Sequence, residues 1–132
     1  MPKTILAVDD EADIAELARF HLGQAGYAVL TASSGRAALE AVHFQRPDLV
    51  LLDLMLPDID GFALCEILRR DPALAALPII ILSAWCTPEA RALGFEQGIL
   101  AYVTKPFSPS DLVARVNRFL RTPPDQQTGR VA

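Results

Sequence analysis

Five polar residues follow directly after short apolar runs, and their chemical types suit phosphate chemistry. The runs end at Asp9 and Asp10, at Asp53, at Ser83, and at Lys105 with a proline after it. Three carboxylates in one crevice repel one another and raise one another's pKa, and a divalent cation removes that cost. Mg²⁺ prefers oxygen ligands and commonly combines carboxylates with water and a phosphate group. Lys105 adds a positive charge and Ser83 a hydroxyl, which both suit phosphoryl oxygens. The set predicts a magnesium site that handles phosphate.

Taken singly, each of these aspartates has a more ordinary explanation. An aspartate after a strand commonly closes a turn or caps the next helix. The full set, however, combines a carboxylate pair, a single carboxylate, a hydroxyl and a Lys-Pro pair at successive strand ends. A polar edge does not readily produce that combination by chance, so we interpret the five positions as one site.

The apolar runs that precede these positions predict five strands, at residues 4–8, 28–32, 49–52, 79–82 and 101–104. Their apolar residues are nearly continuous, which is typical of parallel strands covered by helices on both faces. A segment with helical spacing follows each strand. The β-α order, repeated five times, predicts an α/β fold: a doubly wound five-stranded parallel sheet with five helices. Ligands of such sheets bind beyond the carboxyl ends of the strands, where the five polar residues fall.

Capping signals indicate where several helices begin. Ser34 and Thr87 are candidate N-caps, and Pro88 suits the first turn of the helix after Thr87. The segment from Ser108 to Asp111 resembles a capping box. These signals predict helix starts near residues 35, 88 and 108.

Composition excludes several classes of protein. The 132 residues have a formal net charge of −4 and are 52% hydrophobic, with a mean hydropathy of +0.28. These values favour one folded domain, which we expect over residues 1–121, with a tail or linker at 122–132. The acidic balance argues against a nucleic-acid or membrane surface, and no run suits a transmembrane helix or signal peptide. Cys65 and Cys86 lack metal or disulfide spacing, so we expect reduced thiols and a cytoplasmic protein.

With these residues in view, the chain resembles the receiver domains of two-component response regulators, a family with the flavodoxin-like fold. The resemblance covers residues 3 to about 121. It rests on the stretches ILAVDDEADI, PDLVLLDLMLPDIDGF, PIIILSA and AYVTKPF, in the family's order and with its spacing.

The resemblance implies a role for each site residue. Asp53 would be the phosphoacceptor. Asp9 and Asp10 would bind Mg²⁺ together with Asp53 and the backbone carbonyl of Met55. Lys105 would bind phosphate, and its bond to the next residue, Pro106, is usually cis in the family. Ser83 and Tyr102 would be the switch hydroxyl and the switch aromatic.

The resemblance also implies a mechanism and partners. A phosphohistidine on a sensor histidine kinase or phosphotransfer protein would donate its phosphoryl group to Asp53. Ser83 would be drawn toward the new phosphate, and the ring of Tyr102 would rotate inward. The surface of helix 4, strand 5 and helix 5 would then change for a downstream output protein or domain. The chain would catalyse its own phosphorylation and dephosphorylation as a signalling protein, without direct contact to nucleic acid or membrane.

Other residues near these motifs carry separate expectations. Trp85 is large where the family is often polar, and we expect it to shield the acyl phosphate from water; packing over a loop is the alternative. Asp58 and Asp60 are expected to be turn residues. His21 and His43 have no ligand-spaced neighbours and are expected to be structural.

Two positions depart from the family's winged-helix transcription-factor branch. Leu100 and Ala101 replace acidic residues that this branch places before its switch aromatic, so Arg91 and Arg115 lose expected acidic partners. We expect the segment from Ile99 to Ala101 to form an apolar face that favours another partner or self-association.

An enzyme is the competing hypothesis. A small magnesium-dependent phosphohydrolase of the haloacid-dehalogenase type also uses an aspartyl phosphate on a doubly wound sheet. Its nucleophile belongs to a DxD motif at the first strand, whereas here Asp9 has Glu11 at that spacing. The later acidic pair of that family is absent, so the sequence favours the receiver.

Overall fold

The computed structural model describes residues 2–120, in which strands and helices alternate along the chain. In order, the elements are β1 (Thr4–Val8), α1 (Ala12–Gln24), β2 (Ala28–Ala32), α2 (Gly35–Gln45), β3 (Leu49–Leu52), α3 (Gly61–Arg70), β4 (Ile79–Ser83), α4 (Pro88–Glu96), β5 (Ala101–Thr104) and α5 (Pro109–Leu120). None of the helices in this range is long and apolar enough to cross a membrane.

The five strands form one parallel sheet in the order β2-β1-β3-β4-β5. The order reverses at β1, where β2 lies on one side and β3 on the other. Val8 pairs with Leu52, so the residues that follow, Asp9 and Asp53, leave the sheet side by side. The amide of Asp53 donates to the carbonyl of Val8 at 3.0 Å, which fixes this register beyond the last strand pair. The predicted doubly wound fold is confirmed.

Apolar side chains cover both faces of the sheet. One core lies under α2, α3 and α4, and includes the fully buried Leu6, Leu52 and Ile81. The other lies under α1 and α5, and includes Ile5 and Leu112. Because both faces of the central strands are buried, β1, β3 and β4 need apolar residues at successive positions, which explains their nearly continuous pattern.

Side-chain caps hold the helix starts as predicted. Ser34 Oγ accepts from the amide of Ala37 at 3.1 Å, and Thr87 Oγ1 accepts from the amide of Ala90 at 3.0 Å. Ser108 Oγ accepts from the amide of Asp111 at 3.3 Å, at the start of α5. Each bond satisfies an amide that the first helical turn leaves free.

Asp58 and Asp60 do more than form a turn. Asp60 Oδ1 accepts from the amide of Phe62 at 2.9 Å and caps α3. Asp58 accepts from the amides of Gly35 and Arg36, at 2.8 and 2.9 Å, and so joins this loop to the start of α2. These two hydrogen bonds lower the pKa of Asp58 below its usual value.

The prediction that residues 99–101 form an apolar surface is wrong. Ile99 is 5% exposed and Ala101 7%, whereas Leu100 is 38% exposed. Ile99 packs beneath α4, where a Cβ on Gly94 would lie 2.7 Å from Ile99 Cδ1. The expected tail at residues 122–132, and residue 121 at the expected domain end, lie outside the described residues.

Candidate functional site

Three aspartates form a compact acidic cluster at the carboxyl ends of β1 and β3. Asp9 and Asp53 are 4% and 3% exposed, while Asp10 faces solvent. One carboxylate oxygen from each of the three lies within 4.8 Å of the others. The structure therefore brings together the three residues that the sequence predicts as metal ligands.

Lys105, just after β5, reaches into this cluster. Its Nζ lies 2.7 Å from Asp9 Oδ2, 3.0 Å from Asp53 Oδ2 and 2.9 Å from Glu11 Oε1, and its side chain is 8% exposed. Burial alone would lower the pKa of Lys105, but the contacts with Asp9, Glu11 and Asp53 outweigh it and raise the pKa above its usual value. The ammonium group therefore stays charged at neutral pH. The bond between Lys105 and Pro106 is cis.

The cluster carries more negative charge than Lys105 can neutralise. Burial raises the pKa of Asp9, and the neighbouring charge of Asp53 adds to this, although Lys105 and the amide of Glu11 oppose it. Asp9 Oδ2 is buried and lies 2.7 Å from Lys105 Nζ, an ammonium group that it shares with Asp53 and Glu11.

A divalent cation fits this arrangement. Hard carboxylate oxygens are the ligands that Mg²⁺ prefers, and a cation beside Asp9 Oδ2 would compensate that buried atom. The amide of Met55 donates to Asp53 Oδ1 at 3.1 Å, so the Met55 peptide begins beside the cluster. Asp9, Asp10 and Asp53 could thus hold Mg²⁺.

The two predicted switch residues meet through the backbone of Trp85. Ser83, at the end of β4, is 0% exposed, and its Oγ accepts from the amide of Trp85 at 3.1 Å. Tyr102 is 3% exposed, and its hydroxyl donates to the carbonyl of Trp85. The indole lies edge-on to Phe62 in α3, at 6.0 Å between ring centroids. The ring of Tyr102 therefore already lies inward, and Trp85 joins both switch residues to α3.

The sequence analysis missed two parts of the site. The sequence analysis treated Glu11 only as a departure from a DxD motif. In the structure, its carboxylate contacts Lys105, which lies 94 positions away in the chain. The backbone contacts of Trp85 were likewise not predicted. A contact between side chains so far apart in the chain produces no local sequence pattern. A backbone group is the same in every residue, so its contacts cannot be predicted from residue type.

The histidines lie apart from the acidic cluster. His43 Nδ1 contacts the carbonyl of Leu39 at 2.8 Å within α2, and its Nε2 lies 3.7 Å from Asp71 Oδ2. His21 lies in α1, with its ring edge-on to that of Phe20. His21 therefore contacts its own helix, whereas His43 joins α2 to Asp71 at the end of α3. The expectation that both are structural stays a prediction.

Comparisons with known proteins agree with this geometry. Residues 5–117 match the family model of the response regulator receiver domain. The alkaline phosphatase synthesis transcriptional regulatory protein PhoP of Bacillus subtilis is 44% identical over 121 residues, covering 92% of this chain and 50% of PhoP. The chain spans about half the length of the curated relatives that it matches.

Solved structures show the same fold. The response regulator DrrB of Thermotoga maritima, an OmpR/PhoB homologue, aligns with a TM-score of 0.81 at 35% identity, over 92% of this chain and 54% of DrrB. The chemotaxis protein CheY4 of Vibrio cholerae aligns with a TM-score of 0.85 at 32% identity, over 91% of this chain and 100% of CheY4. The strand order, the site at the carboxyl ends of the strands and the matched sequence agree: this chain belongs to the response regulator receiver domain family.

Proposed function

We propose that Asp53 accepts a phosphoryl group from a phosphohistidine of a sensor histidine kinase or phosphotransfer protein, with Mg²⁺ as cofactor. The observation that carries the proposal is the buried pair of Asp9 and Asp53 held against Lys105. A pair of buried carboxylates opposed by one fixed ammonium group is costly as a purely structural feature. The same arrangement suits a phosphoacceptor site, in which one carboxylate receives the phosphoryl group and the ammonium group neutralises its charge.

The two oxygens of Asp53 are held in different ways. Oδ1 accepts from the amide of Met55, while Oδ2 lies 3.0 Å from Lys105 Nζ. In the transfer, a bond forms between an Asp53 oxygen and phosphorus as the bond from phosphorus to the donor's imidazole nitrogen breaks. The imidazole keeps the electron pair of the broken bond and takes up a proton. Lys105 neutralises charge on the phosphoryl oxygens, and bound Mg²⁺ would supply the same electrostatic stabilisation from the acidic cluster.

Phosphorylation then acts on the switch through Ser83. Its oxygen accepts a hydrogen bond from Trp85, which leaves the hydroxyl hydrogen able to donate to a phosphoryl oxygen. The added charge of about −1.5 to −2 favours that contact. Because Trp85 also accepts from Tyr102, a fixed Ser83 favours the inward ring of Tyr102. The phosphoryl group thus shifts the population toward one form of the surface made by α4, β5 and α5.

That surface would be read by an output protein or domain. PhoP and DrrB are about twice as long as the matched region, and PhoP is named a transcriptional regulatory protein. We propose that the output lies outside the receiver, in a domain joined to it or in a separate protein, and that signalling takes place in the cytoplasm. The receiver itself would then contact protein partners rather than nucleic acid or membrane.

Intact mass measured after incubation with Mg²⁺ and a small acyl phosphate tests the assignment. Wild type should gain the mass of one phosphoryl group, and chelation of Mg²⁺ should abolish the gain. Asp53→Asn should gain nothing. The matched control is Asp58→Asn, which removes a carboxylate from the adjoining loop and should be phosphorylated like wild type. Uptake by Asp53→Asn at the wild-type rate would contradict the assignment. Rapid hydrolysis of the donor without accumulation would favour the phosphohydrolase instead.

A further inference from the structure

The carboxylate of Glu11 contacts Lys105 without belonging to the acidic cluster. Glu11 immediately precedes α1, and its Oε1 accepts from Lys105 Nζ at 2.9 Å. Among residues 2–120, the carboxylate oxygens that lie together as a possible metal site come from Asp9, Asp10 and Asp53. The Glu11 side chain is 62% exposed. Neither metal binding nor burial therefore accounts for this contact.

Lys105 is fully engaged by carboxylates in the unphosphorylated protein. An ammonium group has three N–H donors. Three carboxylate oxygens already surround Nζ: Asp9 Oδ2 at 2.7 Å, Glu11 Oε1 at 2.9 Å and Asp53 Oδ2 at 3.0 Å. The Lys105 side chain is 8% exposed, so little water reaches the ammonium group. A phosphoryl oxygen can therefore contact Nζ only by taking the place of one of these carboxylates.

Glu11 is the carboxylate that can leave Lys105 at the lowest cost. The side chains of Asp9 and Asp53 are 5% and 4% exposed, so either would lose its positive partner without gaining water. Water can replace Lys105 as the partner of the exposed Glu11 carboxylate, and ion pairs of exposed groups contribute little free energy. Transfer also begins from an ionised Asp53, which still needs its positive partner while the phosphoryl group arrives.

We propose that Glu11 occupies the place on Lys105 Nζ that a phosphoryl oxygen takes, and that the phosphoryl group displaces it. This inference rests on the proposed function, and it makes Glu11 a positioning residue that acts through Lys105. Before the donor arrives, the Glu11 carboxylate helps to neutralise the ammonium group and to hold it at the site. The same carboxylate competes with phosphoryl oxygens for Nζ, so it lowers the affinity of the site for a phosphoryl group.

Binding of beryllium trifluoride, a mimic of the phosphoryl group, measures this competition at equilibrium. Titration calorimetry at saturating Mg²⁺ compares wild type with Glu11→Gln, which keeps the shape of the side chain and removes its charge. A neutral oxygen accepts a hydrogen bond from an ammonium group about half as strongly as a carboxylate does. Glu11→Gln should therefore bind the mimic about two- to fivefold more tightly than wild type. It should also take up a phosphoryl group from acyl phosphate faster.

Asp13→Asn is the matched control. It removes the same charge from an exposed position in the first turn of α1, while the ion pairs of Lys105 are made by other carboxylates. This variant should bind the mimic like wild type. Equal gains of affinity in the two variants would assign the effect to net charge and would overturn the proposal.

Two other results for Glu11→Gln would also overturn the proposal. Unchanged affinity would mean that a different carboxylate makes room for the phosphoryl group. Weaker binding would mean that Glu11 assists the phosphoryl group and does not compete with it.

Removal of the lysine tests whether Glu11 acts through it. In a Lys105→Met background there is no ammonium group to compete for, so adding Glu11→Gln should leave the affinity for the mimic unchanged. The rate of phosphoryl uptake, measured by intact mass, gives the same comparison where binding is too weak for calorimetry. A gain as large as that in the wild-type background would overturn the proposal.

The contact between Glu11 and Lys105 can be observed without any phosphate. The chain has two lysines, Lys3 and Lys105. Labelling with ¹⁵N-lysine therefore gives NMR signals from two side-chain ammonium groups, and Lys105→Met assigns them. The Lys105 signal should shift in Glu11→Gln and stay in place in Asp13→Asn. An unshifted signal in Glu11→Gln would overturn the proposal.

The two proposals fail separately. Wild type that takes up a phosphoryl group on Asp53, together with a Glu11→Gln variant that behaves like wild type, refutes the role of Glu11 alone. Wild type that takes up no phosphoryl group refutes the phosphoacceptor, whereas the affinities for beryllium trifluoride still decide the role of Glu11.

Discussion

Replacing Gly61 by alanine probes the close packing of α3 against the loop that carries the phosphoacceptor. Gly61 is the first residue of α3, and its amide donates to the carbonyl of Leu54 at 3.0 Å. A Cβ on Gly61 would lie 2.6 Å from Leu54 Cα and 3.0 Å from the carbonyl oxygen of Asp53. Both are backbone atoms, which cannot swing aside as a flexible side chain can. The methyl group must therefore displace α3 or the backbone of Asp53.

The expected change in the free energy of unfolding of Gly61→Ala combines two opposing effects. Forcing an extra methyl group into a packed site costs about 1–3 kcal/mol. Alanine restricts the unfolded chain and returns about 0.4–1 kcal/mol. We expect the free energy of unfolding of Gly61→Ala to fall by about 1–2 kcal/mol, a decrease in Tm of about 4–8 °C for a domain of this size.

Gly23→Ala is the matched control, because it makes the same substitution where there is room. Gly23 lies in α1 with no atom within 4 Å of its would-be Cβ, so this variant should gain about 0.4–1 kcal/mol. Urea unfolding followed by far-ultraviolet circular dichroism measures both. Phosphoryl uptake should slow in Gly61→Ala and stay unchanged in Gly23→Ala. Equal stabilities of the two variants would refute the packing argument.

Three other predictions concern the site and the thiols. Lys105→Met should slow phosphoryl uptake by about 10²–10³-fold, measured by intact mass, because it removes the fixed positive charge; an unchanged rate would contradict its role. Trp85→Ala should shorten the lifetime of the phosphoryl group, and an equal lifetime would show that Trp85 merely packs. Iodoacetamide should modify Cys86 before Cys65 in the native protein, as read by peptide mapping. Burial raises the pKa of Cys65 to about 11, whereas hydrogen bonds, first with Thr104, lower that of Cys86. The Cys86 thiolate should therefore form, and alkylation of Cys86 should begin, at a lower pH than is usual for thiols. Faster labelling of Cys65 would contradict this.

Most of the strands could be predicted from the sequence because they are buried on both faces, although β2 at the sheet edge is only partly buried. A strand such as Leu49–Leu52 has no exposed position, so its run of apolar residues marks it from end to end. β4 is one residue longer than predicted because Ser83 pairs in register with Thr104, although its hydroxyl breaks the apolar run. The acidic cluster could be predicted as well, since the carboxyl ends of parallel strands meet at one edge.

The failures share a physical cause. Asp58 binds the start of α2 across 22 and 23 positions, and Glu11 binds Lys105 across 94, so neither contact has a local pattern. Ile99 looked like surface because it is part of a short apolar segment outside any predicted strand. Only the packing of α4 over it shows that it is core. The burial and the contacts of these residues depend on tertiary structure, which residue type alone does not reveal.

Locating the phosphoryl group within the chain tests the central claim most directly. After incubation with acyl phosphate and Mg²⁺, borohydride reduces an aspartyl phosphate to homoserine with release of phosphate, and peptide mass spectrometry then identifies the reduced position. The account predicts conversion at Asp53 alone in wild type, and conversion nowhere in Asp53→Asn. Conversion at Asp9 or Asp10 with Asp53 intact would contradict it, as would a phosphoryl group found on a histidine.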